Sequence, residues 1–334
     1  MQNIIVTGGA GFIGSNFVKK VVKLKYNLIN IDCLTYASNL NYLKYLKNKN
    51  NYFFYKTNIL DEKKIIYILK KFNPLYIFNF AAETHVDNSI KDPSTFIETN
   101  ILGTYSLLNA VLKAKCNLKK NFKFIHISTD EVFGDVSKLT RKTLESDSYN
   151  PSSPYSASKA SADHLITAWG RTYNIPYNIS FSCNNFGPNQ NNEKFIPVII
   201  NNIINNKKIP IYGNGSQMRD WIYVEDNISG IIKIAKYGKK NEKYNIGADN
   251  LISNNDLVKI ICNILIKKFN FKKDIFKLVY NVKDRPGHDV KYHQNSSKIK
   301  NLGWKTNNSI YQGLEKTIAW YLSKSQILKE KLYY

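Results

Sequence analysis

One stretch near the start of the chain permits few folds. Asn3-Ile4-Ile5-Val6-Thr7 reads as a strand, GGAGFIGS follows at once, and FVKKVVKL continues as a helix. Gly8, Gly11 and Gly14 stand in a G-x-x-G-x-x-G arrangement. A tight turn, a close backbone approach to a pyrophosphate and a helix lying close on its sheet each need a missing Cβ, and the helix N-terminus adds donors for the phosphates. Glycine spacing alone is a weak signal. Here a strand precedes it, a helix follows, and a second strand over 27–32 ends in an acid. Asp32 lies eighteen residues beyond Gly14, where a carboxylate can meet the adenosine ribose and would repel a 2′-phosphate. NAD is therefore expected over NADP.

The alternation of strand and helix continues, with strands over 51–56 and 74–80 and a helix over 62–71. The 74–80 strand runs into AAETHVDNS, whose small Ala81 and Ala82 suit a chain passing a cofactor. His85 reads as a hydrogen-bonded loop residue. A helix led by Thr99-Asn100 comes next, then a buried strand at Phe124-Ile125 and Ile127. Its end gathers Thr129, Asp130 and Glu131, a hydroxyl and two adjacent carboxyls at the edge where open α/β sheets bind ligands. Alone, such a pair would read as a solvated cap. Beyond a polar loop, Tyr155 and Lys159 share one helix face at four-residue spacing. A lysine ammonium beside a phenol favours the phenolate, so Tyr155 is expected as a base with a lowered pKa. Y-x-x-x-K also occurs by chance on surface helices; its position in this order of elements gives it weight.

After a sixth strand over 177–183, Asn184-Asn185-Phe186-Gly187-Pro188 breaks the alternation. A helix over 195–204 and a short strand over 209–212 follow. The stretch 219–226 mixes charges with aromatics and reads as a sugar- or phosphate-binding loop, and Asp284-Arg285-Pro286-Gly287-His288-Asp289 as a second charged loop. Expected overall is an α/β protein: a doubly wound, Rossmann-like parallel sheet with a smaller C-terminal α/β substrate lobe. The cofactor domain should span 1–183, with roughly 220–246 returning to it, and the substrate lobe 184–219 and 247–334.

A formal charge of +23 invites a nucleic-acid reading. The lysines are scattered through every polar stretch, as in an AT-rich coding bias, so nucleic acid is not expected as the partner. The positive field still favours acidic small molecules. Cys33, Cys116, Cys183 and Cys262 form no C-x-x-C pair, which supports neither a disulfide framework nor a metal site and fits a reducing, cytoplasmic setting. No signal-peptide pattern or charge-free spanning stretch is seen, and no membrane is expected.

With these features in place the chain resembles the nucleoside-diphosphate-glucose 4,6-dehydratases of the extended short-chain dehydrogenase/reductase superfamily. The likeness runs through GGAGFIGS, DCLTYASNL, AAETHVDNSI, TNILGT, STDEVFG, SPYSASKAS, NNFGPNQ, EKFIP, RDWIYVEDN, YNIGA, DRPGHD and LGW. The adjacent Asp-Glu separates these dehydratases from the related sugar epimerases. The resemblance implies that Tyr155 takes the 4-hydroxyl proton while the C4 hydride passes to NAD, with Lys159 holding the tyrosine and the nicotinamide ribose. It implies Thr129 on the C4 oxygen, Glu131 as the base at C5 and Asp130 as the acid for the departing C6 hydroxyl, before the hydride returns to C6. One acid must be ionised and its neighbour protonated in the same step, and adjacent carboxyls tend to split in that way. Implied around NAD are Gly8, Gly11, Phe12, Ile13, Gly14, Asp32, Leu34, Thr35, Asn58, Ile59, Ala81, Ala82 and Thr99. Implied around the sugar nucleotide are Thr84, Asn185, Glu193, Lys194, Arg219, Arg285 and His288. A homodimer built through helices of the cofactor domain and a place in rhamnose synthesis are implied as well.

There are departures. Bacterial relatives usually carry Ser and Arg where this chain has Thr84 and Asn88, wording closer to plant-type UDP-glucose enzymes, while DRPGHD matches the bacterial dTDP-glucose type. Asn58 replaces an aspartate near the adenine amino group, and its amide oxygen can accept the same hydrogen bond. The nucleobase is open between thymine and uracil. The rivals are a nucleotide-sugar 4-epimerase, for which Asp130-Glu131 would be dispensable, and a non-catalytic NAD- or nucleic-acid-binding protein, against which Tyr155 and Lys159 argue.

Overall fold

The computed structural model describes residues 1–115 and 118–325; Cys116 lies outside them. Among the described residues twelve strands are formed: β1 Gln2–Thr7, β2 Tyr26–Asp32, β3 Tyr52–Lys56, β4 Tyr76–Asn79, β5 Lys123–Thr129, β6 Tyr177–Ser182, β7 Asn184–Phe186, β8 Ile209–Tyr212, β9 Met218–Tyr223, β10 Glu242–Ile246, β11 Leu251–Ser253 and β12 Val279–Val282. The helices are α1 Phe12–Val21, α2 Glu62–Phe72, α3 Val86–Lys91, α4 Ser94–Phe96, α5 Gly103–Lys113, α6 Pro154–Tyr173, α7 Phe195–Ile204, α8 Val224–Tyr237, α9 Asn254–Phe269, α10 Ser297–Lys300 and α11 Ile310–Lys324. A π-helical turn, Ile97–Leu102, joins α4 to α5.

Seven strands form one parallel sheet in the order β10-β6-β5-β4-β1-β2-β3. Strand order reverses between β1 and β4, and such a switch point opens a crevice beyond the strand ends. Alternate side chains leave opposite faces. Ile4 and Val6 of β1 therefore join the core cluster containing Phe17 and Val18 of α1, whereas Ile5 joins the one containing Leu107, Leu108 and Val111 of α5. All seven residues of β5 are buried, as expected of a strand covered on both faces.

The chain after β6 builds a three-stranded sheet, β11-β9-β7, and a β12-β8 pair. Its core is continuous with the α1 side of the large sheet: Ile222, Leu257, Ile261, Trp304 and Leu314 belong to the same cluster as Ile4 and Phe17. β10 then returns to extend the large sheet beside β6.

The stretch 219–226 is not the loop its polarity suggests. It is β9 running into α8. Arg219, Asp220 and Asp226 are buried because the backbone satisfies them, whereas Glu225 is exposed. Asp220 accepts the N–H groups of Ala248 at 2.9 Å, Asp249 at 3.2 Å and Asn250 at 2.8 Å. The Arg219 guanidinium donates to the carbonyls of Met218, Asp289 and Val290 and stacks 4.3 Å over Tyr292. Arg219 and Asp220 thus bond to different partners rather than to each other. No helix among the described residues is long and apolar enough to cross a membrane.

Candidate active site

The first turn of α1 carries no side-chain cap and no acid, leaving its N–H groups free to face an anion. A Cβ on Gly8, at φ +69°, would stand 2.6 Å from the Ala81 nitrogen, and one on Gly14 would stand 2.2 Å from the Gly8 carbonyl oxygen. Turn, helix and β4 loop are therefore in backbone contact. At Gly11 a Cβ would meet only the Gly8 carbonyl oxygen at 3.4 Å, so this glycine keeps the space before the helix open. Asp32 accepts the Ala10 N–H at 2.8 Å, the Leu34 N–H at 2.8 Å and the Ser38 hydroxyl at 2.9 Å. It fixes the glycine turn to the end of β2, and Leu34 is bent to φ +65°, unusual for a branched residue. Asn58 closes a small turn on the Leu60 N–H after β3, with Ile59 buried beside it. These features fit a dinucleotide with its pyrophosphate on α1 and its adenosine toward β2 and β3.

Two clefts, of about 240 and about 470 Å³, share the lining residues Thr84, Glu131, Asn184, Asn185, Gln190, Glu193 and Lys194. The first reaches Gly8, Gly11, Phe12, Ile13, Gly14, Ala82, Thr129, Asp130, Tyr155 and Lys159. The second reaches Arg219, Arg285 and His288. The structure thus brings the expected glycine loop, acid pair, tyrosine–lysine pair and distal cations onto one continuous groove. Asp32, Leu34, Thr35, Asn58, Ile59, Ala81 and Thr99 stand around the strand ends and the π-turn, outside the lining of these clefts.

Thr129 ends β5 and caps the short turn Asp130–Phe133, its Oγ1 accepting the Glu131 N–H at 3.3 Å. That turn drives Asp130 inward, 3 % exposed, 3.4 Å from the Thr129 hydroxyl and with Oδ2 unpaired. Burial raises the Asp130 carboxyl well above its ordinary value, and Glu131 beside it adds to the rise. Burial also raises Glu131, but Arg285, Arg219 and Lys194 pull it back. The two acids are placed unequally, one poised to hold a proton and one beside three cations.

Pro154 and a Ser153–Ser156 capping box start α6, placing Tyr155 and Lys159 on its first turns. The structure corrects the expected direction for Tyr155. Burial and the Glu131 charge raise its phenol well above the ordinary value, while a hydrogen bond from Thr129 pulls the other way. The Lys159 ammonium is bonded to the Ile127 carbonyl at 2.8 Å and lies 3.2 Å from His126 Nε2. It is directed at β5, and burial lowers it to about 8.

Lys194 donates to the Thr84 carbonyl at 2.7 Å. Glu193 accepts from Tyr36 at 3.2 Å. Asn185 donates to the Cys183 carbonyl, leaving its buried Oδ1 without a partner. Arg285 and Tyr212 reach across to Asp87 of α3 at 3.5 and 3.1 Å. His288 lies 2.6 Å from Asp284. His85 caps α3 through Nδ1, a structural use. Sequence reasoning missed Asn100, which accepts the Glu83 N–H and donates to the Glu83 carbonyl and to Ser158, tying the β4 loop to α6. Its place in a π-turn, a frequent companion of functional sites, has no sequence signature.

The chain matches the family described as GDP-mannose 4,6 dehydratase over residues 5–317. The dTDP-glucose 4,6-dehydratase of Haemophilus influenzae is 44 % identical, covering 97 % of this chain and 99 % of its own. Among solved structures, the dTDP-glucose 4,6-dehydratase of Bacillus anthracis in complex with NAD has a TM-score of 0.86 at 37 % identity, with 98 % of both chains covered. The Streptomyces venezuelae dTDP-glucose 4,6-dehydratase, also with NAD bound, has a TM-score of 0.89 at 34 % identity, again with 98 % of both chains covered.

Proposed function

The chain belongs to the GDP-mannose 4,6 dehydratase family, and we propose that within it the substrate is dTDP-glucose. The reaction is the NAD-dependent dehydration of a nucleoside-diphosphate-glucose to its 4-keto-6-deoxy sugar nucleotide, and the enzyme is a hydro-lyase. The observation that carries this reading is the acid pair at the end of β5. A carboxyl held protonated and a carboxyl beside cations are what elimination of water across C5 and C6 requires, and an epimerase has no use for them.

The bare helix start, the glycine turn and Asp32 fit NAD, with Gly8, Gly11 and Gly14 against the pyrophosphate and Asp32 toward the adenosine ribose. NAD supplies the acceptor for the C4 hydride and the donor that returns it at C6. Tyr155 takes the proton of the C4 hydroxyl as its phenolate, a form that burial and Glu131 disfavour and the hydrogen bond from Thr129 supports, and Thr129 holds the same oxygen. A ketone at C4 acidifies the C5 hydrogen, which Glu131 removes. Asp130 gives its proton to the C6 hydroxyl, which leaves as water. Glu131 then returns a proton to C5. Lys194, Arg219 and Arg285 meet the diphosphate. Arg219 is anchored by three carbonyls, whereas Lys194 and Arg285 each hold one partner, the Thr84 carbonyl and Asp87, and keep further donors for it. Thr84, Asn185, Glu193 and His288 complete the sugar-nucleotide wall.

Thymine and uracil differ by one methyl, which a pocket discriminates only modestly; the preference for dTDP rests on the relatives and on Asp284 to Asp289. We take residues 1–183 with roughly 220–246 as the cofactor domain and the rest as the substrate lobe, β10 extending the large sheet while β9, at the start of that return, pairs within the smaller one. A homodimer is supported by the apolar face that Ile97, Leu102 and Tyr105 present beside Tyr173 of α6, each more than a third exposed. A cytoplasmic enzyme fits the scattered cysteines.

The test is a paired assay with dTDP-glucose and UDP-glucose, following loss of one water by mass spectrometry. Water lost faster from dTDP-glucose is the expected result. Water lost faster from UDP-glucose overturns the substrate assignment, and galactose formed from UDP-glucose without loss of water overturns the reaction.

A further inference from the structure

Beneath Lys159 lies a polar cluster that the reaction above does not use. His126 of β5, Asp163 of α6, Asn79 of β4 and Thr7 of β1 are all fully buried, and Ser128 and Lys159 nearly so. The Thr7 hydroxyl lies 2.6 Å from one terminal atom of the Asn79 amide, and the other terminal atom lies 3.1 Å from His126 Nδ1. On the other side of the imidazole, His126 Nε2 is 3.2 Å from Lys159 Nζ and 3.7 Å from Asp163 Oδ1. Asp163 follows Lys159 by one turn of α6; its Oδ2 accepts the Ser128 hydroxyl at 2.7 Å, and its Oδ1 has no hydrogen-bond partner. Tyr149 is hydrogen-bonded to the same carboxyl, and Lys243 of β10 donates to the Tyr149 hydroxyl at 2.9 Å.

The imidazole is neutral here, because burial and the adjacent ammonium push its pKa well below the ordinary value. A neutral ring 3.2 Å from an ammonium must present a lone pair to it, since two donors cannot face each other at that distance. Nε2 then accepts, Nδ1 carries the hydrogen, and the Asn79 amide turns its oxygen to that hydrogen. Thr7, able to donate or accept, satisfies either orientation. Two of the three Lys159 hydrogens are thereby claimed by one strand, at the Ile127 carbonyl and at His126. A buried ammonium also needs an opposite charge nearby, or it sheds its proton. Asp163 is the carboxyl that stands there.

We propose that His126 and Asp163 are positioning residues for Lys159: His126 fixes the direction of the ammonium, and Asp163 is the buried counter-charge that keeps it an ammonium. The proposal rests on the cofactor-holding role given to Lys159 above. Asp163 raises Lys159, against the burial that lowers it to about 8. Lys159 in turn lowers Asp163, against the burial that raises it to about 7. Ser128, Tyr149 and Lys243 also act on Asp163, all three favouring its ionised form.

The experiment follows NAD affinity by calorimetry from pH 6 to 10, without sugar nucleotide, in the whole protein. Wild type is expected to lose affinity along one alkaline limb as Lys159 deprotonates, and Lys159→Met is expected to lack that limb. In Asp163→Asn the midpoint moves down by about one unit or more, as removal of a near counter-charge from a buried amine requires. Ser128→Ala, which removes a single hydrogen bond from Asp163, shifts it the same way by less, and serves where Asp163→Asn does not fold. His126→Phe lowers affinity at every pH, because the ammonium loses its fixed direction. A limb that persists in Lys159→Met overturns the role of Lys159 and the proposal with it. A limb absent from Lys159→Met yet unmoved in Ser128→Ala and in any folded Asp163→Asn protein overturns the proposal alone.

Discussion

The glycine turn makes a prediction whose size follows from distances. In Gly14→Ala the new methyl would stand 2.2 Å from the Gly8 carbonyl oxygen and 2.9 Å from Gly9 Cα, where ordinary contact begins at 3.4 Å. Both neighbours are backbone, so α1 and the turn must part by about 1.2 Å, the shortfall against the nearer atom. The turn cannot retreat, because Gly8 itself stands against the backbone of Ala81. Overpacking of this kind costs about 1–3 kcal/mol of stability, and a displacement near 1 Å at a cofactor costs about 10²-fold in turnover. Gly11→Ala is the control. Its methyl reaches only the Gly8 carbonyl oxygen at 3.4 Å, and its backbone, at φ −73°, suits any residue. The fold should stay within about 0.5 kcal/mol of wild type, while NAD affinity falls about tenfold or more because the methyl occupies the space before the helix start. Urea unfolding without NAD, paired with calorimetric NAD titration, separates the two variants. If Gly14→Ala unfolds with wild type, or Gly11→Ala is destabilised as much as Gly14→Ala, the reasoning from backbone contact is wrong.

Glu131→Gln should oxidise the sugar at C4 and stop, with absorbance at 340 nm rising on addition of dTDP-glucose and dehydration falling by at least about 10²-fold; dehydration at the wild-type rate would remove Glu131 as the base. Turnover should fall at acid pH as Glu131, raised above its ordinary value, takes up a proton, and at alkaline pH as Asp130, raised further, loses one. A carboxyl raised in the fold contributes stability that is present below its unfolded pKa and lost as pH rises through the folded one. Asp130→Asn should therefore resist urea better than wild type at pH 8 and show no such advantage at pH 4; an equal gain at both would exclude the buried charge as the cause. Asp220→Ala should destabilise by about 3 kcal/mol, since it removes the acceptor of three part-buried N–H groups at about 1 kcal/mol each, and a loss below about 1 kcal/mol in urea unfolding would show that they find other partners.

The middle of the large sheet was legible because β1, β4 and β5, largely buried on both faces, are rich in apolar residues. Two elements of the second lobe, α7 and β8, have the bounds expected from their apolar residues. Legibility failed where burial and polarity coincide. Arg219 and Asp220 read as loop because their partners are backbone groups as many as 71 residues away, which no local pattern records. Tyr155 was misjudged for a similar reason: helical spacing gives the lysine's neighbourhood but not that its ammonium turns to β5 while Glu131 and burial act on the phenol. Three-residue strands such as β7 and β11 exist only because β9 lies between them.

The three cations beside Glu131 have a consequence for the role proposed for it as the base. Lys194, Arg219 and Arg285 favour the ionised carboxylate and so weaken it as a base. A sugar nucleotide arriving with its diphosphate brings negative charge to those same cations and cancels part of their field at Glu131. The carboxylate gains proton affinity in the complex that opens on its C5 hydrogen. Linkage makes the effect reciprocal, so a protonated Glu131 grips the diphosphate more tightly than an ionised one. In this arrangement the substrate arms the group that will deprotonate it, and a sugar without its diphosphate would find the base unarmed.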